Sequence, residues 1–262
     1  ELVLNDKGTV VLPTVRNAAV LMKQLGYAVY RNTFSDTVRI VGPEDDPTIA
    51  RGGESLNDFH LLELCRQFTE AGFVVRKDVM HDLLRTMAHA HHRHPVREYL
   101  IKAREKWDGK PRVEGWLHEY FGVEDNEYTR CVGSVTLVGA VRRVFEPGCK
   151  HDTMLILEGG QGGFKSSALR SLAVREEWFT DNARVDASSK EIMETVAGHW
   201  IVETAEMIGM HKGDPDKLKN ALSRSKERAR MAYGHTVHEY QRQFIIIGTT
   251  NRSNYLVDNT GN

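Results

Sequence analysis

The sequence predicts an α/β fold over residues 146–262, preceded over residues 1–145 by a mostly helical module with a small strand element. Three observations predict it. Short apolar runs that end in polar residues recur at 154–157, 201–202 and 244–247, the pattern of buried strands with a common functional edge. A glycine-rich turn joins the first of these runs to a helical stretch. Before residue 145, helix-period segments dominate and only a few strand-like runs interrupt them.

The chain has 262 residues, 40% hydrophobic and 27% charged, which is the profile of a globular protein with a sizeable core. No apolar run is long enough to span a bilayer, so no membrane partner is expected. The N-terminus has neither an initiator methionine nor a basic-then-apolar leader, so the sequence reads as a piece of a longer cytoplasmic protein. Cys65, Cys131 and Cys149 are scattered without metal spacing and fit a reducing compartment. A net charge of −1 excludes a histone-like, globally basic mode of nucleic-acid binding but leaves room for a local groove or pore.

In chain order, residues 17–25 read as a short helix, and 27–30 and 37–41 as strands. Residues 42–54 form a loop rich in glycine, proline and acid. Residues 57–71 open with Asn and Asp as cap residues, and Phe59, Leu62, Leu64 and Phe68 fall on one helical face. Phe73-Val74-Val75 is a strand candidate, and 77–91 is again helical. His89, His91, His92 and His94 lack an acidic or cysteine partner at ligand spacing, and Pro95 interrupts them, so no metal site is assigned there. A third helix over 95–106 runs into the turn Trp107-Asp108-Gly109-Lys110-Pro111-Arg112. Residues 113–120 and 125–143 complete the helical block, with Cys131, Val135, Val138 and Val141 recurring every three or four positions.

The turn after residue 158 carries the chemistry. Gly159-Gly160-Gln161-Gly162-Gly163-Phe164-Lys165-Ser166-Ser167 follows a buried strand and precedes a helix, the layout of a phosphate-binding loop. Glycines let successive N–H groups curl onto an anion, and the helix adds the positive end of its dipole. Lys165 would reach the β- and γ-phosphates of ATP, and the Ser166 hydroxyl would hold Mg2+. The second glycine of the consensus is replaced by Phe164, which limits φ, crowds the phosphates and is expected to slow turnover.

The second strand ends in Glu203-Thr204-Ala205-Glu206, and Glu203 and Glu206 are both candidates to order the Mg2+ or to polarise the attacking water. The third ends in Thr249-Thr250-Asn251-Arg252, where the Asn251 amide would orient that water or touch the γ-phosphate. Residues 188–196 between them read as a helix. Residues 210–243 hold eight Lys/Arg against four Asp/Glu, and Tyr233-Gly234-His235 reads as a turn. Arg224, Arg228, Arg230 and His235 in this insert are candidates either to contact DNA phosphates or to serve a neighbour's nucleotide.

At these residues the chain resembles the virulence-associated protein E family, phage- and island-encoded ATPases similar to superfamily 3 helicases. The matching stretches are residues 94–100, the Trp107–Arg112 turn, Pro147-Gly148-Cys149-Lys150, the phosphate loop and residues 200–206. Leu222-Ser223-Arg224, residues 228–234, residues 248–252 and Thr260-Gly261-Asn262 complete them. The resemblance covers roughly residues 90–262 and implies a P-loop NTPase core of the AAA+ type. It further implies ATP hydrolysis driving a helicase or translocase on DNA, single-stranded by expectation, in replication of a phage or mobile element within a bacterial host cell. A ring of identical subunits, a hexamer by expectation, and a primase or replication-initiation partner follow from the same resemblance. Carried over by position, Lys165 and Ser166 are the Walker A pair, Glu203 and Glu206 stand for Walker B, and Asn251 for sensor 1. Family members continue into an arginine-rich, aromatic stretch beyond Asn262, so the core is expected to be truncated there. Two other readings are a nucleotide-gated scaffold with little turnover and a small-molecule kinase on the same loop; the basic insert and the Thr-Thr-Asn-Arg strand end fit a ring ATPase better than a kinase.

Overall fold

The computed structural model describes residues 14–43, 53–183, 188–205, 220–230 and 237–251, together with residues 6 and 49. Contacts divide the chain into two compact units, Glu1–Pro95 and Val96–Asn262.

The first unit contains α1 (Val15–Gln24), β1 (Ala28–Asn32), β2 (Thr37–Val41), β3 (Glu54–Ser55), α2 (Asp58–Glu70), α3 (Lys77–His89) and β4 (His92–Arg93). Its sheet has the order β3-β2-β1-β4, antiparallel except for the short parallel pairing of β1 with β4. The β1–β2 reversal is fixed by Asn32, whose side-chain oxygen accepts from the backbone N–H groups of Phe34 and Ser35. Leu21, Met22, Ile40, Leu64, Phe68, Met80 and Leu84 form the centre of the core. A capping box between Asn57 and His60 starts α2 and sets its rotation. As a result His60, Leu61, Leu64 and Phe68 face inward while Phe59 and Leu62 are exposed, so the inward face differs from the expected one. Residues 73–75 form no strand. Gly72 ends the helix at φ 89°, its N–H bonds Thr69 O and the Phe73 N–H bonds Phe68 O, so Phe73 completes a Schellman cap.

The second unit begins with α4 (Pro95–Glu105), α5 (Trp116–Phe121) and α6 (Glu127–Phe145). β5 (Leu155–Glu158), α7 (Lys165–Leu172), β6 (Phe179–Thr180), α8 (Ser189–Val196) and β7 (Ile201–Ala205) follow. The described elements end with β8 (Lys226–Arg230), β9 (Val237–Gln241) and β10 (Ile245–Thr250). β5, β10, β7 and β6 form a parallel sheet in that order, so the unit is mixed α/β as expected. β8 and β9 pair as an antiparallel hairpin that the charged sequence had not announced.

The division at Pro95 replaces the boundary expected near residue 145, because α6 is bonded into the sheet. Arg143 is buried and donates to the carbonyls of Phe244 at 2.9 Å, His151 at 3.3 Å and Cys149 at 3.4 Å. Trp200 Nε1 donates to Ala140 O at 2.9 Å. Burial, with Arg242 nearby, pushes the Arg143 guanidinium down to about 10. The buried face of α6 is Gly133, Thr136, Gly139, Ala140, Arg143 and Val144. At Gly139 an added Cβ would sit 2.3 Å from the His151 ring, so only glycine admits that approach. The periodic Cys131, Val135, Val138 and Val141 lie on the exposed side.

The hairpin is joined to the sheet by a buried ion pair. Glu227 and Arg242 are 0% and 1% exposed. Glu227 Oε1 accepts from Arg242 Nε at 2.8 Å and from its Nη2, while Oε2 accepts from Ser189 Oγ at 2.7 Å. Arg242 Nη1 donates to Ala221 O at 2.6 Å. Around this pair Ile192, Met193, Val196, Val202, Tyr240 and Phe244 form an apolar cluster.

Candidate functional site

Three neighbouring parallel strands deliver the site, because in such a sheet all carboxyl ends lie on one edge. β5 leads into the loop at Gly159, β7 carries Glu203, and β10, lying between them, ends just before Asn251. The Gly159 N–H bonds Thr250 O at 3.2 Å and so ties the loop to the end of β10.

Residues 159–164 are exposed and carry two left-handed residues, Gly162 at φ 78° and Phe164 at φ 53°. At Gly163 an added Cβ would meet Gly160 O at 3.2 Å, which keeps the loop narrow. Phe164 is the residue before α7 and supplies no side-chain cap, so the first-turn amides of the helix have no capping side chain. That is a donor array for an anion.

The Lys165 ammonium donates to Gly159 O at 2.8 Å, Gly160 O at 2.9 Å and Asn251 Oδ1 at 2.9 Å. Its charge is therefore held over the loop against the sheet edge. Glu203 is fully buried, and its Oε1 accepts from Ser166 Oγ at 2.7 Å and Thr249 Oγ1 at 2.6 Å. Its Oε2 is buried with no hydrogen-bond partner among the described residues. A buried carboxylate oxygen without a donor, next to a serine hydroxyl, is the donor set a hard divalent cation takes. The residues present thus fit a cation beside a bound phosphate.

Lys165 with Asn251 and Ser166 with Glu203 form two hydrogen-bonded pairs, joined by the chain at 165–166. Gly159, Gly160, Gln161, Gly162, Gly163 and Phe164 form the loop around them, and Ser167 is exposed on the first turn of α7. Arg228 lies exposed on β8, and Arg224 just before it approaches Glu227 at 3.6 Å; neither touches those pairs among the described residues. Glu206 and His235, with the turn around residue 234, lie outside the described residues, and Arg230 is placed on β8 by its backbone alone. Thr249 escaped the sequence reading although it donates to Glu203. Its signal was a hydroxyl two residues before the amide at the end of an otherwise apolar strand. Among the described residues no helix is long and apolar enough to cross a membrane.

A family model for the virulence-associated protein E-like domain matches residues 101–262. No curated protein matches the chain. The A form apo structure of the NrS-1 C-terminal region is similar at 14% identity with a TM-score of 0.46, covering 89% of this chain and 56% of that one. A second apo structure of the NrS-1 C-terminal region is similar at 13% identity with a TM-score of 0.43 and the same coverage. The chain thus spans little more than half the length of these structures. With more than half of its length matched by the family model, the chain belongs to the virulence-associated protein E-like domain family.

Proposed function

We propose that the second unit is a P-loop ATPase core of AAA+, superfamily 3 type, acting as a DNA helicase or translocase in replication of a phage or mobile element. The observation that carries the reading is the pair of contacts, Lys165 with Asn251 and Ser166 with Glu203, at the shared edge of three parallel strands. Phosphoryl transfer needs positioning and charge neutralisation more than covalent chemistry, and these residues supply both. The loop amides and Lys165 bind the β- and γ-phosphates of ATP. Ser166 and Glu203 hold Mg2+, which when bound supplies further neutralisation of phosphate charge. Asn251, already fixed against Lys165, orients the attacking water or the γ-phosphate, and Glu206 is the second carboxylate of the proposal. The basic β8 strand, with Arg228 and Arg230, and Arg224 just before it contact DNA or the adjacent subunit of a ring, a hexamer in this proposal. A primase or replication-initiation partner and the cytoplasm of a bacterial host complete it.

Steady-state phosphate release with and without single-stranded DNA tests this reading. The wild type should turn over ATP faster with DNA, and both Lys165→Ala and Glu203→Gln should lower the rate by at least about a hundredfold. Absence of turnover in the wild type under both conditions would refute a motor. A second reading, the nucleotide-gated scaffold, is favoured by Phe164, which puts a side chain at 80% exposure where the loop motif expects glycine. ATP-dependent assembly without phosphate release distinguishes it.

A further inference from the structure

We infer that the turn Trp107–Arg112 is a stacking contact for the bases of single-stranded nucleic acid, separate from the basic β8 strand. Trp107 follows α4 and is 62% exposed. Its indole N–H donates to Lys110 O at 3.0 Å. Asp108 braces the same turn: it accepts from the Lys110 N–H at 3.1 Å and, bidentate, from Arg112 at 2.8 and 2.7 Å. Gly109 makes the reversal at φ 81°. The Arg112 guanidinium holds the Asp108 carboxyl well below the usual carboxylate range, so the brace persists through the physiological pH range.

Among the described residues, the hydrogen bonds of the Trp107, Asp108 and Arg112 side chains all stay within this turn. The turn is therefore rigid without being built into a core, and its tryptophan presents a preorganised surface to solvent. Because the indole N–H is satisfied internally, the ring's remaining means of recognition are its faces. Aromatic faces stack on any base. The flanking charge fits the same ligand. Lys102, Arg104, Lys106 and Lys110 are exposed and form no ion pair among the described residues, against Glu105 and Glu114. Complementing the C-terminal dipole of α4 accounts for Lys102 and Arg104. It does not account for an exposed, braced tryptophan. A protein-binding tryptophan commonly uses its N–H toward the partner, which this one has already committed.

The inference rests on the DNA-dependent reading above only for the class of its ligand. Its test therefore uses no ATP, so a failed motor and a failed stacking contact give different results. Trp116, Trp178 and Trp200 are buried, so the red-shifted part of the tryptophan emission belongs to Trp107. Titration with an oligothymidylate should quench that component. Trp107→Ala should remove the quench and weaken binding about tenfold, Trp107→Phe should retain most of the affinity, and both should melt at the wild-type temperature. Lys106→Glu with Lys110→Glu should reduce the salt dependence of binding. Three results would overturn the inference: tight binding with unchanged emission and a fully competent Trp107→Ala; no binding of the oligonucleotide; or an emission shift that follows protein concentration alone, which would assign the turn to a protein contact.

Discussion

Replacing one member of the buried Glu227–Arg242 pair should destabilise the second unit sharply and unequally. Both side chains are removed from water. Losing one partner strands a charge, at a typical cost of about 3–5 kcal/mol. Arg242→Met leaves the carboxylate with the Ser189 hydroxyl at 2.7 Å and Arg224 at 3.6 Å, so its cost should fall near the lower end of that range. Glu227→Leu leaves a guanidinium bonded to Ala221 O, with Arg143 adding repulsion, and takes the acceptor from Ser189. Its cost should fall near the upper end. For a domain of this size each kcal/mol lowers Tm by about 2–4 °C, so the two variants should melt roughly 6–12 and 10–20 °C early. The double variant restores an apolar junction against Phe244 and Tyr240 and should cost far less than the sum of the two. Urea denaturation followed by the emission of buried Trp178 and Trp200 reports on this unit. Single variants within about 1 kcal/mol of wild type, or costs that simply add in the double, would show that the pair does not join the hairpin to the sheet in this way.

Three further outcomes follow from the geometry. Val174 is β-branched at φ 72°, just past the end of α7, so Val174→Gly should raise stability by about 1 kcal/mol in the same denaturation assay. Phe164→Gly relieves a left-handed phenylalanine and opens the loop; the ATPase rate should rise several-fold, and an unchanged or lower rate would remove the argument that this side chain restrains turnover. Burial lowers the affinity of His151 and His199 for protons, so the unfolded chain takes up protons first as pH falls below about 6.5. Stability should therefore be level above that pH and decline below it, and the Tm difference between pH 7.5 and 5.5 should shrink in His151→Leu/His199→Leu.

The strand–glycine turn–helix layout at 155–172 was legible because its signal is local: Lys165 and Ser166 follow the glycines directly, whatever surrounds them. The carboxylate of Glu203 and the amide of Asn251 were legible at one remove, as polar residues closing apolar strands. The helix over 125–143 was legible as α6, but its inward face was not, because apolar periodicity assumes that the core face is the greasy face. Beside Thr136 and Val144, its inward face includes Gly133, Gly139 and Ala140, small enough for neighbours to approach, and Arg143, whose guanidinium donates to backbone carbonyls. The β8–β9 hairpin was hidden for a related reason. Lys226-Glu227-Arg228-Ala229-Arg230 looks solvated throughout, and Glu227 is buried only because Arg242, fifteen positions on, meets it there. Expectations at Glu206 and His235 lie outside the described residues.

The order of strands in the parallel sheet also sets a timetable for synthesis. β6 pairs with β7, Phe179 with Ile201, across a modest stretch of chain. β5 pairs with neither; its partner is β10, with Leu155 opposite Ile247. A chain emerging from the ribosome can thus close the β6–β7 pairing early, while β5 remains without its neighbour until β10 has been made. Such long-range closure is slow, in contrast to the β1–β2 hairpin of the first unit, which closes across residues 33–36. Asn251 follows the final strand and contacts Lys165 only after that closure. Any nascent chain that stops short of β10 displays the loop, the lysine and the carboxylate without bringing them to a common edge, so these residues meet only after that strand has been made.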